Sequence, residues 1–148
     1  MFRASSSKAS LVVCSTCRFS EGAREDEEGR RGGTLFAQAL GTSLSDHSCR
    51  DRIEIERMPC LFACTSYCTA YVRSDRRFGY ILGRFLPIPE HAVALLDYVE
   101  RYLDTPDGVV PYGRWPQGVK GHFLVRVPPA GLLWDPSLNA GAATPNDR

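Results

Sequence analysis

Apolar positions along the chain gather into a few short segments separated by polar stretches. Residues 1–9 are mostly small and polar, with three consecutive serines, and read as a flexible N-terminal arm. The run LVVC (11–14) is short and rich in valine, the pattern of a buried strand. RFSEGAREDEEGRRGG (18–33) is charged and glycine-containing and reads as an exposed loop. TLFAQAL (34–40) predicts a short helix with Thr34 as its N-cap. GTSLSDHSCRD (41–51) reads as a connection, and IEIERM (53–58) alternates as a half-exposed strand does. PCLFACTSYC (59–68) is an irregular loop. TAYVR and FGYILGRF, on either side of SDRR, predict a hairpin over 69–85. The clearest helix is IPEHAVALLDYVERYL, in which Ala92, Leu95, Leu96, Val99, Tyr102 and Leu103 recur at helical spacing. A looser Pro- and Gly-rich segment covers 105–121, FLVRVPP (123–129) is extended, and 130–148 has the composition of a disordered C-terminal tail.

The order is strand, helix, strand, cysteine loop, hairpin, helix. It predicts one α/β domain over residues 10–129, a small mixed sheet flanked by helices. The layout is that of a thioredoxin-like sandwich in which the cysteine loop replaces an internal helix. A formal net charge of +1 gives no reason to expect nucleic acid or an acidic membrane as partner. No apolar run is long enough to span a bilayer. The first residues lack the apolar core of a secretory signal, so the expected location is the cytoplasm. Structural disulfides are rare there, which changes what six cysteines mean.

Five of the six fall into two clusters, Cys14 with Cys17, and Cys60, Cys64 and Cys68; Cys49 stands apart. Such bunching favours a shared ligand. Each cluster follows a predicted strand, and neighbouring strands of one sheet end side by side. Cys14, Cys17, Cys60 and Cys64 are therefore the candidate ligand set. Four thiolates suit zinc or an iron–sulfur cluster. Zinc sites favour compact C-x2-C knuckles, which the C-x3-C half fits loosely. A redox dithiol at Cys14 and Cys17 is a third chemistry. Its usual activating helix does not follow the pair immediately, and no proline lies between Cys60 and Cys68. Cys68 continues the spacing as C-x3-C-x3-C, so it is either an alternative ligand or a small buried residue. Cys49, beside His47 in a polar connection, reads as an incidental thiol.

The stretches VCSTCR, MPCLFACTSYCTAYV, FGYILGRF and DGVVPYGRWPQGVKGHFLVRVPP carry a resemblance. The cysteine pattern resembles the thioredoxin-like [2Fe-2S] ferredoxins and the small cluster-bearing subunit of respiratory NADH dehydrogenase. More closely, residues 11–129 are similar to a bacterial family of predicted metal-binding proteins, domain of unknown function 1636. The resemblance implies a thioredoxin-like fold and a [2Fe-2S] cluster on Cys14, Cys17, Cys60 and Cys64, two thiolates to each iron. It implies an electron carrier or redox accessory served by redox partner proteins, with an association with cobalamin-related gene sets. A zinc-binding or metal-handling accessory without electron transfer is the alternative, and a thiol–disulfide oxidoreductase the second. A monomer and a homodimer both remain open.

Ser15, Thr16, Thr65 and Ser66 lie beside the candidate ligands as sources of hydrogen bonds to sulfur, and Arg18 as a charge near the first pair. His47, His91 and His122 show no metal spacing, and His91 is expected on an exposed helix turn. EDEE (25–28) reads as a solvated loop, Gly79 and Gly83 as bulges or close backbone approaches, and Trp115 as a loop anchor. No nucleophile elbow, phosphate loop or dinucleotide fingerprint appears, so no independent enzyme active site is visible.

Overall fold

A central strand, buried at every position but its first, organises the molecule. In the computed structural model, which describes residues 1–6 and 8–139, β1 (Ala9–Cys14) pairs in parallel with β2 (Ile53–Met58), from Ala9 opposite Ile53 to Cys14 opposite Met58. On its other side β1 runs antiparallel to β3 (Ala70–Arg73), which continues through a hairpin into β4 (Gly79–Leu82). A fifth strand, β5 (Phe123–Val127), lies antiparallel to β4 with an irregularity between Ile81 and Leu82, giving the order β2-β1-β3-β4-β5. β1 is flanked on both sides, and its near-continuous apolar run is what such a position demands. β2 forms one edge, and its Glu54, Glu56 and Arg57 discourage further pairing there.

Two helices complete the fold. α1 (Gly32–Ser45) buries Phe36, Ala37 and Leu40. α2 (Pro89–Leu103) starts with proline at its first position, has Glu90 in its first turn and Arg101 in its last, and buries Leu95, Leu96, Val99 and Tyr102. Those placements match the helix dipole and the fixed φ of proline. Side chains alternate along a strand. Leu11 and Val13, Ala70 and Val72, and Tyr80 and Leu82 therefore point the same way, into one core with both helices. Each large apolar side chain taken from water into that core contributes about 1.5–3 kcal/mol. Tyr80, Tyr98 and Phe123 meet edge to face within it, and Phe36 stacks on Phe85. The Tyr102 hydroxyl, though buried, donates to the Phe78 carbonyl at 2.5 Å. With strand–helix–strand followed by hairpin and helix, and residues 59–69 where an internal helix would stand, the fold is α/β and thioredoxin-like. The other sheet face carries Val12, Tyr71, Ile81 and the half-exposed Val125, with no helix over it among the described residues.

Several local expectations change. The first helix is twice as long as TLFAQAL, taking in both preceding glycines and GTSLS. Thr34 is not its cap: Arg31 holds that position, and the Thr34 hydroxyl donates instead to the Ser15 carbonyl at 3.2 Å. His91 is not an exposed helix residue. Its ring accepts a hydrogen bond from the Leu86 amide and lies near Phe85 and His122. Cys49 is fully buried in the core. Trp115 anchors its loop as expected, donating to the Val110 carbonyl and lying on Phe123. In the arm, Ser5 and the Ser6 amide bind Glu56 of β2. The expected disordered tail is described only to residue 139, including a single 3-10 turn at Pro136–Asn139; the remainder lies outside the described residues.

Candidate metal centre

The parallel pairing of β1 and β2 delivers both cysteine clusters to one end of the sheet. Cys14 closes β1 opposite Met58, the last residue of β2, and the Ser15 amide donates to the Met58 carbonyl at 2.9 Å. Cys60 follows two residues later. The first loop is then clamped by the start of α1. Thr34 donates to the Ser15 carbonyl, Arg31 to that of Thr16 at 3.2 Å, and the Gly33 amide to that of Cys17 at 3.2 Å. The next carbonyl, of Arg18, receives the Cys68 thiol at 3.7 Å. Four successive carbonyls are thus engaged. Contact this close requires glycine: a Cβ on Gly33 would lie 1.8 Å from the Cys14 carbonyl oxygen, and one on Gly32 2.2 Å from that of Arg18.

This arrangement returns a helix N-terminus to the first thiol pair after a fourteen-residue excursion from Arg18 to Arg31. The partial positive charge of that terminus favours thiolate. The Cys14 thiol is held down at about 5, first by a hydrogen bond from Cys17 and then by donors that include the Leu61 and Thr16 amides. Cys17 moves up, because it keeps the proton the pair shares and because it is buried. Its sulfur also lies 3.0 Å from the Thr69 hydroxyl and 3.5 Å from the Thr69 amide, the donor in that second contact.

The second pair sits on an irregular, exposed loop. Cys60 and Phe62 both adopt φ of 63°, and Cys68 adopts 48°. Left-handed backbone in residues other than glycine costs about 1–2 kcal/mol each, so the surrounding contacts impose this loop shape. Cys60 and Cys64 are exposed and share a hydrogen bond that holds the Cys64 thiol above its ordinary value. Cys64 lines a cavity of about 290 Å³ together with Cys14 and Cys17, and Arg18, Arg24 and Arg31 line it too. Among the described residues no carboxylate does. Among the described residues, no three His, Cys, Asp or Glu side chains converge on one ion position; the thiols stand as two pairs. Cys68 is fully buried, with its thiol pushed up to about 12 by that burial, and Cys49 is likewise raised, to about 11.

The sequence pattern of a family described as protein of unknown function (DUF1636) matches residues 11–129, from β1 through β5 and across both cysteine pairs. The chain belongs to the DUF1636 family. None of the curated proteins matches it. Among solved structures, it is similar to a thioredoxin-like [2Fe-2S] ferredoxin from Aquifex aeolicus, with 18% identity and a TM-score of 0.48 over 85% of this chain and 98% of that one. It is also similar to a serine-for-cysteine variant of the Aquifex aeolicus ferredoxin, with 21% identity and a TM-score of 0.45 over 72% of this chain and 95% of that one.

In this DUF1636 chain, two contributors escaped the sequence reading. Thr69 was absent from the sulfur donors expected, which were Ser15, Thr16, Thr65 and Ser66. It lies 52 residues from Cys17, and no local spacing signals such a contact. Of the four expected, Thr16 stands beside Cys14 sulfur at 3.8 Å. The second contributor is the N-terminus of α1, hidden because the excursion separates it from the pair. Arg18 was singled out, and the structure gives it a specific state. Its Nε is the one buried side-chain nitrogen or oxygen among the described residues with no hydrogen-bond partner.

Proposed function

We propose that this chain holds a [2Fe-2S] cluster on Cys14, Cys17, Cys60 and Cys64 and acts in the cytoplasm as an electron carrier or redox accessory to a partner protein. The observation that carries the reading is the pairing itself. Two thiol pairs leave the ends of adjacent parallel strands, and Cys14, Cys17 and Cys64 line one cavity with Cys60 paired to Cys64, which supports two-by-two ligation of a dinuclear centre. The donor set fits: sulfur only, no competing carboxylate, and cationic walls that suit an anionic group. When bound, such a cluster supplies one-electron chemistry. The chain's own residues hold and tune. Thr69 and Thr16 stand by the sulfurs of the first pair, α1 directs its N-terminus at them, and Cys60 and Cys64 on their exposed loop form the side that faces a partner. Cys68, sealed in the core against the Arg18 carbonyl, is assigned to packing.

The test is protein purified without oxygen, its visible spectrum recorded and its iron, sulfide and zinc measured. About two irons and two sulfides per chain, with colour that bleaches on reduction, is the expected result. Colourless protein with one zinc would overturn it. One observation favours a second reading, a thiol–disulfide oxidoreductase: a lowered Cys14 beside a raised, buried Cys17 is what an attacking and a resolving thiol show. That reading gives Cys60 and Cys64 no role. Serine at both positions would leave dithiol activity intact and would abolish a cluster.

A further inference from the structure

We infer that Arg18 is the counter-charge of the thiol cavity, stabilising negative charge there and raising the reduction potential of the centre held by Cys14, Cys17, Cys60 and Cys64; this rests on the function proposed above. A guanidinium stays protonated at any physiological pH. A buried guanidinium nitrogen without a hydrogen-bond partner costs free energy that an opposite charge facing the group offsets. Half-buried Arg18 has such a nitrogen and lines the same cavity as Cys14, Cys17 and Cys64. Among the described residues no carboxylate lines that cavity, and the groups there that can carry negative charge are the thiols of Cys14, Cys17 and Cys64.

The three arginines differ in what holds them. Arg31 is engaged with the Thr16 carbonyl, and Arg24 is exposed to solvent. Arg18 is pinned at its backbone, its carbonyl wedged against Gly32 and bonded by the Cys68 thiol at 3.7 Å. Two features therefore act on Arg18: the glycine that permits close approach, and the buried cysteine beneath it. A cation fixed in a partly desolvated wall interacts more strongly than one on a freely moving surface chain and is screened less by salt. Reduction places one more negative charge on the centre, so a fixed cation favours the reduced form.

The test compares wild-type protein with Arg18→Gln and Arg18→Lys, each loaded with cluster, by midpoint potential at low and high salt. Arg18→Gln should weaken the reduction equilibrium about tenfold or more, a fall of about 59 mV for a one-electron couple, with the visible spectrum unchanged. Arg18→Lys should restore most of it, and the difference should survive high salt. Loaded Arg18→Gln protein at the wild-type potential would overturn the inference and leave the cluster reading standing. If Arg18→Gln fails to load while Arg18→Lys loads at near wild-type potential, the charge is what the site needs. If neither loads, Arg18 is a packing residue and the inference fails. Wild-type protein without iron or sulfide removes the cluster reading itself, and is seen before any variant is made.

Discussion

Gly33→Ala should damage the molecule, whereas Gly41→Ala in the same helix should improve it. Alanine is the better helix former by about 0.5–1 kcal/mol, and this gain is available wherever the new methyl has room. At Gly41 nothing lies within 4 Å of the added atom. At Gly33 the added Cβ would stand 1.8 Å from the Cys14 carbonyl oxygen and 2.9 Å from the carbonyl carbons of Cys14 and Ser15, all backbone. That is more than an ångström inside the 3.0 Å floor of real Cβ contacts, and no flexible side chain can yield. Either α1 backs away from β1 or the cysteine loop deforms. Overpacking of this kind costs about 1–3 kcal/mol and sometimes more, which overwhelms the propensity gain. Thermal unfolding of the metal-free variants supplies the assay, with midpoints moving roughly 2–4 °C per kcal/mol at this size. The expected result is a lower midpoint for Gly33→Ala and a slightly higher one for Gly41→Ala. Retreat of α1 would also lengthen the Gly33 bond to the Cys17 carbonyl, so Gly33→Ala should take up less iron. Equal stability of the two variants would refute the claim that α1 clamps the first cysteine loop.

Further outcomes follow from single contacts. Cys68→Ala should keep its full iron content and lose about 0.5–1.5 kcal/mol, as for one buried methyl, whereas Cys60→Ala and Cys64→Ala should lose iron; iron loss from Cys68→Ala would make it a ligand. Tyr102→Phe removes the buried donor to the Phe78 carbonyl and should cost about 0.5–1.5 kcal/mol in urea unfolding, with an unchanged cost-free midpoint contradicting the contact. The Ser5 hydroxyl and Ser6 amide hold the Glu56 carboxyl below its ordinary 4.5. The folded value being depressed, that contribution is complete above 4.5 and lost as pH falls through the lower folded value. Proteolysis of the arm should therefore accelerate in that acid range, and Glu56→Gln should remove the pH dependence.

What the sequence made legible was what local pattern encodes. α2 announces itself because its apolar residues recur at helical spacing and proline marks its start. β1 and β2 show as a buried run and an alternating one, and the two cysteine clusters are plain in their spacing. α1 was underread for a physical reason: its outer half, Gly41-Thr42-Ser43, is made of poor helix formers, and packing of Phe36, Ala37 and Leu40 on the sheet overrides them. Thr34 looked like a cap because its side chain can reach a backbone amide, yet it bonds across to the first loop instead. Cys49 looked incidental in a polar stretch, although its own side chain turns into the core. The contacts that finish the centre, Thr69 to Cys17 and Gly33 to the first loop, join residues far apart in the chain, where periodicity carries no information.

The register between β1 and β2 acts as a ruler for the chemistry. Cys14 stands opposite Met58, so the starting point of the second pair's loop is set by counting residues along β2 before any contact within the loop acts. One residue inserted between Ile53 and Met58 and kept in the strand would advance Cys60 by about 3.3 Å and turn it to the opposite face. The exposed turn at 50–52, just upstream, can change length without touching that count. Length variation in this scaffold is therefore permitted on one side of Ile53 and forbidden on the other.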